Sequence, residues 1–125
     1  MTPAAADRRV LVVEDFAELR NLLVAGLRRV GYQVDGAASL TEAVTMTPEC
    51  YDVLITDMSL GDAFGTDLLE LVRARDPSAA CRCLLMTGGG LGPDPPDDVP
   101  VLVKPFRIDA LVAAVGELLA PAGGA

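Results

Sequence analysis

Short apolar runs alternate along this chain with longer stretches in which apolar residues recur every three or four positions. The runs are Val10-Leu-Val-Val13, Tyr32–Ala37 around Val34, a segment at about 52–56 around Val53-Leu-Ile55, Cys83-Leu-Leu-Met86 and Val99-Pro-Val-Leu-Val103. The Val53–Ile55 run is of the kind that reads as a strand buried on both faces, as in parallel sheets covered by helices. Val10–Val13 is a second such apolar run, and Tyr32–Ala37, which contains Gln33 and Asp35, reads as a short strand. After the first run, Leu19, Leu22, Leu23, Leu27 and Val30 take helical spacing, with Arg20, Arg28 and Arg29 on the other faces and Gly31 as the stop. Ser39-Leu-Thr-Glu42 is a capping box that opens a second helix, ended by Pro48. A third helix is expected over 65–75 around Leu68, Leu69, Leu71 and Val72, stopping before Asp76-Pro77. A last one runs from about Arg107 to Leu119, with Ile108, Leu111, Val112, Val115, Leu118 and Leu119 on its apolar side. Strands alternating with helices imply right-handed crossovers, hence an α/β fold with a doubly wound, five-stranded parallel sheet.

One unit of the alternation is broken. Residues 88–98 hold four glycines and three prolines in eleven positions, which no regular helix tolerates. The fourth helix is therefore expected to be degenerate or missing. Residues 1–8 and 120–125 read as flexible tails around a domain spanning 9–119.

Composition narrows the function. A chain of 125 residues, 51% of them hydrophobic, makes one domain with a real core. A net charge of −8 argues against holding nucleic acid or an anionic membrane surface by bulk electrostatics, and suits a protein that binds cations or a basic partner. No apolar run is long enough to span a membrane and the N-terminus lacks the order of a secretory signal, so the cytoplasm is the expected compartment. Cys81 and Cys83 read as small buried hydrophobes rather than a ligand pair. The chain has no histidine, which excludes Ser-His-Asp and Cys-His catalysis and any role as a histidine phosphodonor.

The candidate chemistry lies where the strands end. Glu14 and Asp15 follow the first run, Asp57 the third, Thr87 the fourth and Lys104 the fifth. Alone, Asp57 is as readily a capping residue for the turn with Ser59, Gly61, Asp62 and Gly65. In a parallel sheet, however, the carboxyl ends of the strands share one edge, which is where such folds bind ligands. Three carboxylates there repel one another unless a hard cation such as Mg²⁺ neutralises them through oxygen ligands. A lysine and a hydroxyl facing them suit an arriving phosphoryl group. The set points to attack by a carboxylate on phosphorus, giving an aspartyl phosphate.

Val12-Val-Glu-Asp15, the Asp57 turn with Gly65, Leu85-Met-Thr87-Gly88 and Lys104-Pro-Phe106 together resemble the response-regulator receiver domain of two-component signalling, over about residues 9–119. The resemblance implies a (βα)5 flavodoxin-like fold and a usually cis Lys104–Pro105 bond. It makes Asp57 the phosphoacceptor, with Thr87 and Lys104 meeting the phosphoryl group. Asp15, Asp57, the backbone carbonyl of Ser59 and Glu14 (through water) would hold Mg²⁺. The donor would be a phosphohistidine on a sensor histidine kinase or histidine phosphotransfer protein, docking near Phe16–Leu23. Such a domain catalyses only its own phosphorylation and dephosphorylation, as a switch or relay, stand-alone or attached to a hybrid kinase.

Three positions depart from the family pattern. Val101 stands where an aromatic residue is frequent, Gly61 where proline is frequent, and the fourth helix is eroded. The usual threonine–aromatic switch and dimer face are thereby put in doubt, and ordering of 88–98 on phosphorylation is the expected substitute. Ser59 and Gly89, two residues past Asp57 and Thr87, bring no carboxylate, amide or base to position a water, so slow-to-moderate self-dephosphorylation is expected. Two other readings compete: a pseudo-receiver acting by contact alone, and a Mg²⁺-dependent aspartyl-phosphate phosphatase. Pseudo-receivers typically lose the acceptor, the acid pair or the lysine, all present here. The phosphatases usually carry a second acid where this chain has Ser59, and a cap for which 125 residues leave no room.

Overall fold

The computed structural model describes residues 7–61, 63–78, 82–88 and 93–120. Five strands, β1 (Arg9–Val13), β2 (Gln33–Ala37), β3 (Val53–Asp57), β4 (Cys83–Thr87) and β5 (Val101–Val103), form one sheet in the order β2-β1-β3-β4-β5. Every pairing is parallel. Four α-helices accompany them: α1 (Ala17–Val30), α2 (Leu40–Thr45), α3 (Gly65–Arg75) and α4 (Ile108–Leu119). The doubly wound α/β architecture expected from the alternation is present.

Side-chain parity along β1 shows why its Val10–Val13 run is apolar without a break. Leu11 and Val13 join Leu54, Leu68, Leu69, Val72 and Leu85 in one core layer, on the side of α2 and α3. Val10 and Val12 join Leu23, Leu27, Ile55, Met86, Leu111 and Val115 in the other, on the side of α1 and α4. From Val10 to Val13 each successive residue meets a helix layer, so both parities of β1 are apolar, whereas the edge strand β2 exposes Gln33 and Asp35.

The local signals act as expected, with adjustments. Gly31 ends α1 in the left-handed conformation. The Ser39 hydroxyl accepts the Glu42 N–H at 3.1 Å, while the Glu42 carboxylate accepts from the N–H of Ala38, one residue before the cap. Pro48 opens a short 3-10 turn, Pro48–Cys50, beyond the end of α2. Strand β5 is shorter than its apolar run: Pro100 has no N–H for the ladder, and Val99 instead donates to the Pro96 carbonyl at 3.2 Å in a turn.

Helical spacing overstated the buried face of α1. Leu22 and Val30 are 61% and 46% exposed, and the interior is filled by Leu23, Val24 and Leu27. Arg20 and Arg28 are not simply solvent-facing either, since both donate to backbone carbonyls, Arg28 to Val34 and Arg20 to Glu14.

Residues 93–100 contain turns but no helix, in keeping with the expected loss of a helix between β4 and β5. In its place Val99, 4% exposed, packs into the core layer of Leu85, and Asp98 pairs with Arg73 of α3 at 2.8 Å. Residues 89–92 of the 88–98 segment, including Gly89, lie outside the described residues, as do Cys81, Asp62, residues 1–6 and residues 121–125. Cys83 is buried, as a small hydrophobe would be.

Candidate phosphoacceptor and metal site

The carboxyl ends of β1, β3, β4 and β5 bring the sequence-selected residues to one edge. Asp57 is the last residue of β3 rather than the first of the turn, paired in register with Met86. The chain then turns back on itself: Met58 donates to the Met86 carbonyl at 2.7 Å, and Leu60 to the Ala63 carbonyl at 2.8 Å. Gly61 sits at φ +80°, a value closed to proline, so this turn differs in kind from one built with proline there. Asp67 accepts the Phe64 N–H at 2.9 Å and starts α3. The close approach of α3 requires Gly65, because a Cβ at that position would lie 2.3 Å from the Asp57 carbonyl oxygen. A glycine eight residues after the acid therefore sets how near the helix comes to it.

The Asp57 carboxylate is held from two sides. Its Oδ1 accepts the Ser59 N–H at 3.3 Å, and its Oδ2 accepts from Lys104 Nζ at 2.7 Å. The same ammonium donates to Glu14 Oε1 at 2.7 Å, while Glu14 Oε2 accepts the Phe16 N–H at 3.3 Å. Lys104 reaches this position from the end of β5, where its N–H bonds the Thr87 carbonyl at 2.7 Å and the Lys104–Pro105 peptide is cis. Thr87, half-buried, ends β4 in register with Val103. Val101 is half-buried at the start of β5.

Glu14, Asp15 and Asp57 each offer a carboxylate oxygen within 4.8 Å of the others. Glu14 and Asp57 are buried and Asp15 is exposed, so the cluster opens to solvent on one side. One lysine cannot neutralise three acids. Burial raises the Glu14 carboxyl to about 7, helped by Asp15 and Asp57 and opposed by the Lys104 hydrogen bond. Lys104 loses hydration, but its hydrogen bonds to Asp57 and Glu14 outweigh that and raise its pKa. Excess negative charge, oxygen donors alone and an open side fit a hard divalent cation such as Mg²⁺. Asp15, Asp57 and Glu14 are the side chains that would hold it, with Ser59 alongside.

Beside this edge, Leu19, Leu22, Leu23, Pro105, Phe106 and Ile108 line an apolar hollow of about 210 Å³ that reaches Lys104. Leu22, which lines it, is 61% exposed, and Phe16, just before α1, is 59% exposed. Among the described residues no helix is long and apolar enough to cross a membrane.

Sequence reading missed Arg20. Its guanidinium donates to the Glu14 carbonyl at 2.9 Å, although helical spacing had placed it among the polar faces. An arginine one turn into the helix that follows an acid pair was the available signal.

Known proteins share this fold and part of this sequence. Residues 10–94 match the family model described as the response regulator receiver domain. The chain is 32% identical over 120 residues to the response regulator receiver protein CpdR of Brucella abortus, covering 90% of this chain and 97% of that one. It is 34% identical to the virulence transcriptional regulatory protein PhoP of Salmonella typhimurium, but spans only 51% of that protein's length. Among solved structures, it is similar to the receiver domain of the hybrid histidine kinase CckA, at TM-score 0.76, 30% identity and coverage of 90% and 99% of the two chains. The chemotaxis protein CheY4 of Vibrio cholerae gives TM-score 0.77 at 26% identity, over 90% of this chain and 98% of that one. By its fold, the family model over most of its length and a relative 32% identical across nearly both chains, the chain belongs to the response-regulator receiver family.

Proposed function

We propose that Asp57 accepts a phosphoryl group from a phosphohistidine on a sensor histidine kinase or histidine phosphotransfer protein, in a Mg²⁺-dependent reaction. The arrangement around its carboxylate carries this reading: Lys104 lies on one oxygen, a backbone N–H on the other, and two further acids stand within metal-sharing distance.

An Asp57 carboxylate oxygen attacks phosphorus. The new O–P bond forms as the P–N bond to the donor imidazole breaks, and the departing electron pair stays on that nitrogen, which takes up a proton from solvent. Bound Mg²⁺ supplies positive charge that offsets the repulsion between the acids and the arriving phosphoryl oxygens. Lys104 is freed from its ground-state carboxylate partners to meet a phosphoryl oxygen, and the Thr87 hydroxyl, at the next strand end, donates to another. The Ser59 N–H fixes the carboxylate orientation. The protein thus catalyses only its own phosphorylation and dephosphorylation, and serves as a switch or relay inside the cell.

The apolar hollow beside Lys104 supports docking of the donor through α1 and the segment after β5, consistent with the exposure of Phe16 and Leu22. Incubation with a labelled phosphohistidine protein and Mg²⁺ is the test. Transfer to the native chain, lost on chelation of Mg²⁺ and in Asp57→Asn, is expected. Equal labelling of Asp57→Asn would place the acceptor elsewhere.

A further inference from the structure

The acid pair sits on the short connection from β1 to α1, and its position depends on how that connection is held. The Glu14 N–H donates to the Ala37 carbonyl at the end of β2, 3.0 Å away. The Phe16 N–H is taken by Glu14's own carboxylate. The Glu14 carbonyl is gripped from the far side by Arg20 Nη1 at 2.9 Å. That last bond ties the acid-bearing turn to the first turn of α1.

Strand β2 makes room for it. A Cβ on Gly36 would lie 3.2 Å from Arg20 Cδ and 3.3 Å from Arg20 Cγ, so the arginine stem runs across a strand position without a side chain. The stem is therefore laid against the sheet, its guanidinium delivered to one carbonyl rather than left in water. The charge is half-buried beside a carbonyl dipole, and such charge-assisted hydrogen bonds are stronger than neutral ones.

We propose that Arg20, seated over Gly36, is a positioning residue that sets the affinity of the Glu14–Asp15 pair for a divalent cation. The proposal rests on the reading of these acids as a Mg²⁺ site. Arg20 touches neither the cation nor the phosphoryl group, and acts through the Glu14 backbone on the aim of the two carboxylates. Groups that orient metal ligands from outside the coordination sphere typically change affinity by about 10- to 100-fold when removed.

The experiment is Mg²⁺ titration of the full chain by amide chemical shifts, for native protein, Arg20→Ala, Arg20→Lys and Gly36→Val, with thermal melting of each without metal. Phosphorylation by a small-molecule phosphodonor is followed across the same Mg²⁺ range. In Arg20→Ala the Mg²⁺ concentration for half-saturation is expected to rise about tenfold, with the phosphorylation rate at saturating Mg²⁺ within about twofold of native. Arg20→Lys, which keeps one donor on a long stem, recovers most of the affinity. Gly36→Val displaces the stem and shifts half-saturation in the same direction. An Arg20→Ala chain with lowered melting temperature but native Mg²⁺ half-saturation overturns the proposal, as does a lysine variant no better than alanine. A folded native chain that takes up no Mg²⁺ overturns the metal-site reading itself, which separates the two failures.

Discussion

The crossover from β3 to β4 and the passage from β4 to β5 solve the same topological problem in different ways. The first is a complete unit, with α3 burying Leu68, Leu69 and Val72 against the sheet and Gly65 allowing it to touch Asp57. Among the described residues of the second no helix occurs; Val99 enters the core, and Asp98 reaches α3 from an exposed position. The acids gather on the well-packed side, on strand ends between helices. Thr87 and Lys104, the groups that would meet the phosphoryl oxygens, end the two strands that this second passage joins. The contrast teaches that the acceptor strand is fixed by a helix packed directly against its end. The strands bearing Thr87 and Lys104 are instead joined, over described residues 93–100, by turns that bury one side chain, Val99.

Substitution on the packed side should have the largest effect. Gly65→Ala would set a methyl group against the Asp57 backbone, which cannot yield as a flexible side chain does. A loss of about 3 kcal/mol is expected, at the upper end of overpacking costs. Equilibrium denaturation measures it, and a cost below about 1 kcal/mol would mean that the approach of α3 is not tight.

Core truncations under each of the two crossovers should differ in cost. Leu68→Ala, fully buried under α3, should cost about 3 kcal/mol, and Val99→Ala about 1.5 kcal/mol, by the apolar volume and cavity each leaves. Denaturation of both variants under one condition ranks them. Equal costs would show the β4–β5 passage to be as firmly packed as the β3–β4 crossover.

The smallest effect concerns pH. The Glu14 carboxyl is held at about 7 when folded, above the ordinary 4.5, so between those values the folded chain binds more protons than the unfolded chain. Its contribution to stability is complete below 4.5 and is lost as pH rises through about 7. The raised pKa of Lys104 acts in another window: its contribution is present below 10.5 and disappears only as pH climbs above that value. Metal-free melting temperature should therefore decline as pH rises from 5 to 8, and saturating Mg²⁺ should flatten that decline by stabilising ionised Glu14. A metal-free profile that is flat or rising in this window would contradict the assignment.

Much of this was legible in the sequence for a physical reason. A parallel sheet covered on both faces writes its central strands as apolar runs, and four of the five strands here end in candidate chemistry. Asp57, Glu14, Asp15, Thr87 and Lys104 could be placed on one edge before any distance was known, because strand direction alone puts them there. Helix faces were harder to read. Leu22 shares the spacing of Leu23 and Leu27 yet lines a surface hollow, since a stripe wider than the buried face leaves its margin exposed. Arg20 was hidden for the opposite reason: charge suggested water, while its terminal nitrogen had a backbone partner. Gly65 was visible only as a turn former, because the pressure on it comes from a carbonyl eight residues earlier in the chain.

The central claim is that Asp57 is the reactive centre of a Mg²⁺-dependent phosphoacceptor site. Its most direct test is binding of beryllofluoride, a phosphoryl mimic, to the native chain and to Asp57→Asn, each with and without Mg²⁺. Saturable binding that requires Mg²⁺ and vanishes in Asp57→Asn is the expected result. A folded native chain that binds no beryllofluoride, or an Asp57→Asn chain that binds it equally well, would contradict the claim.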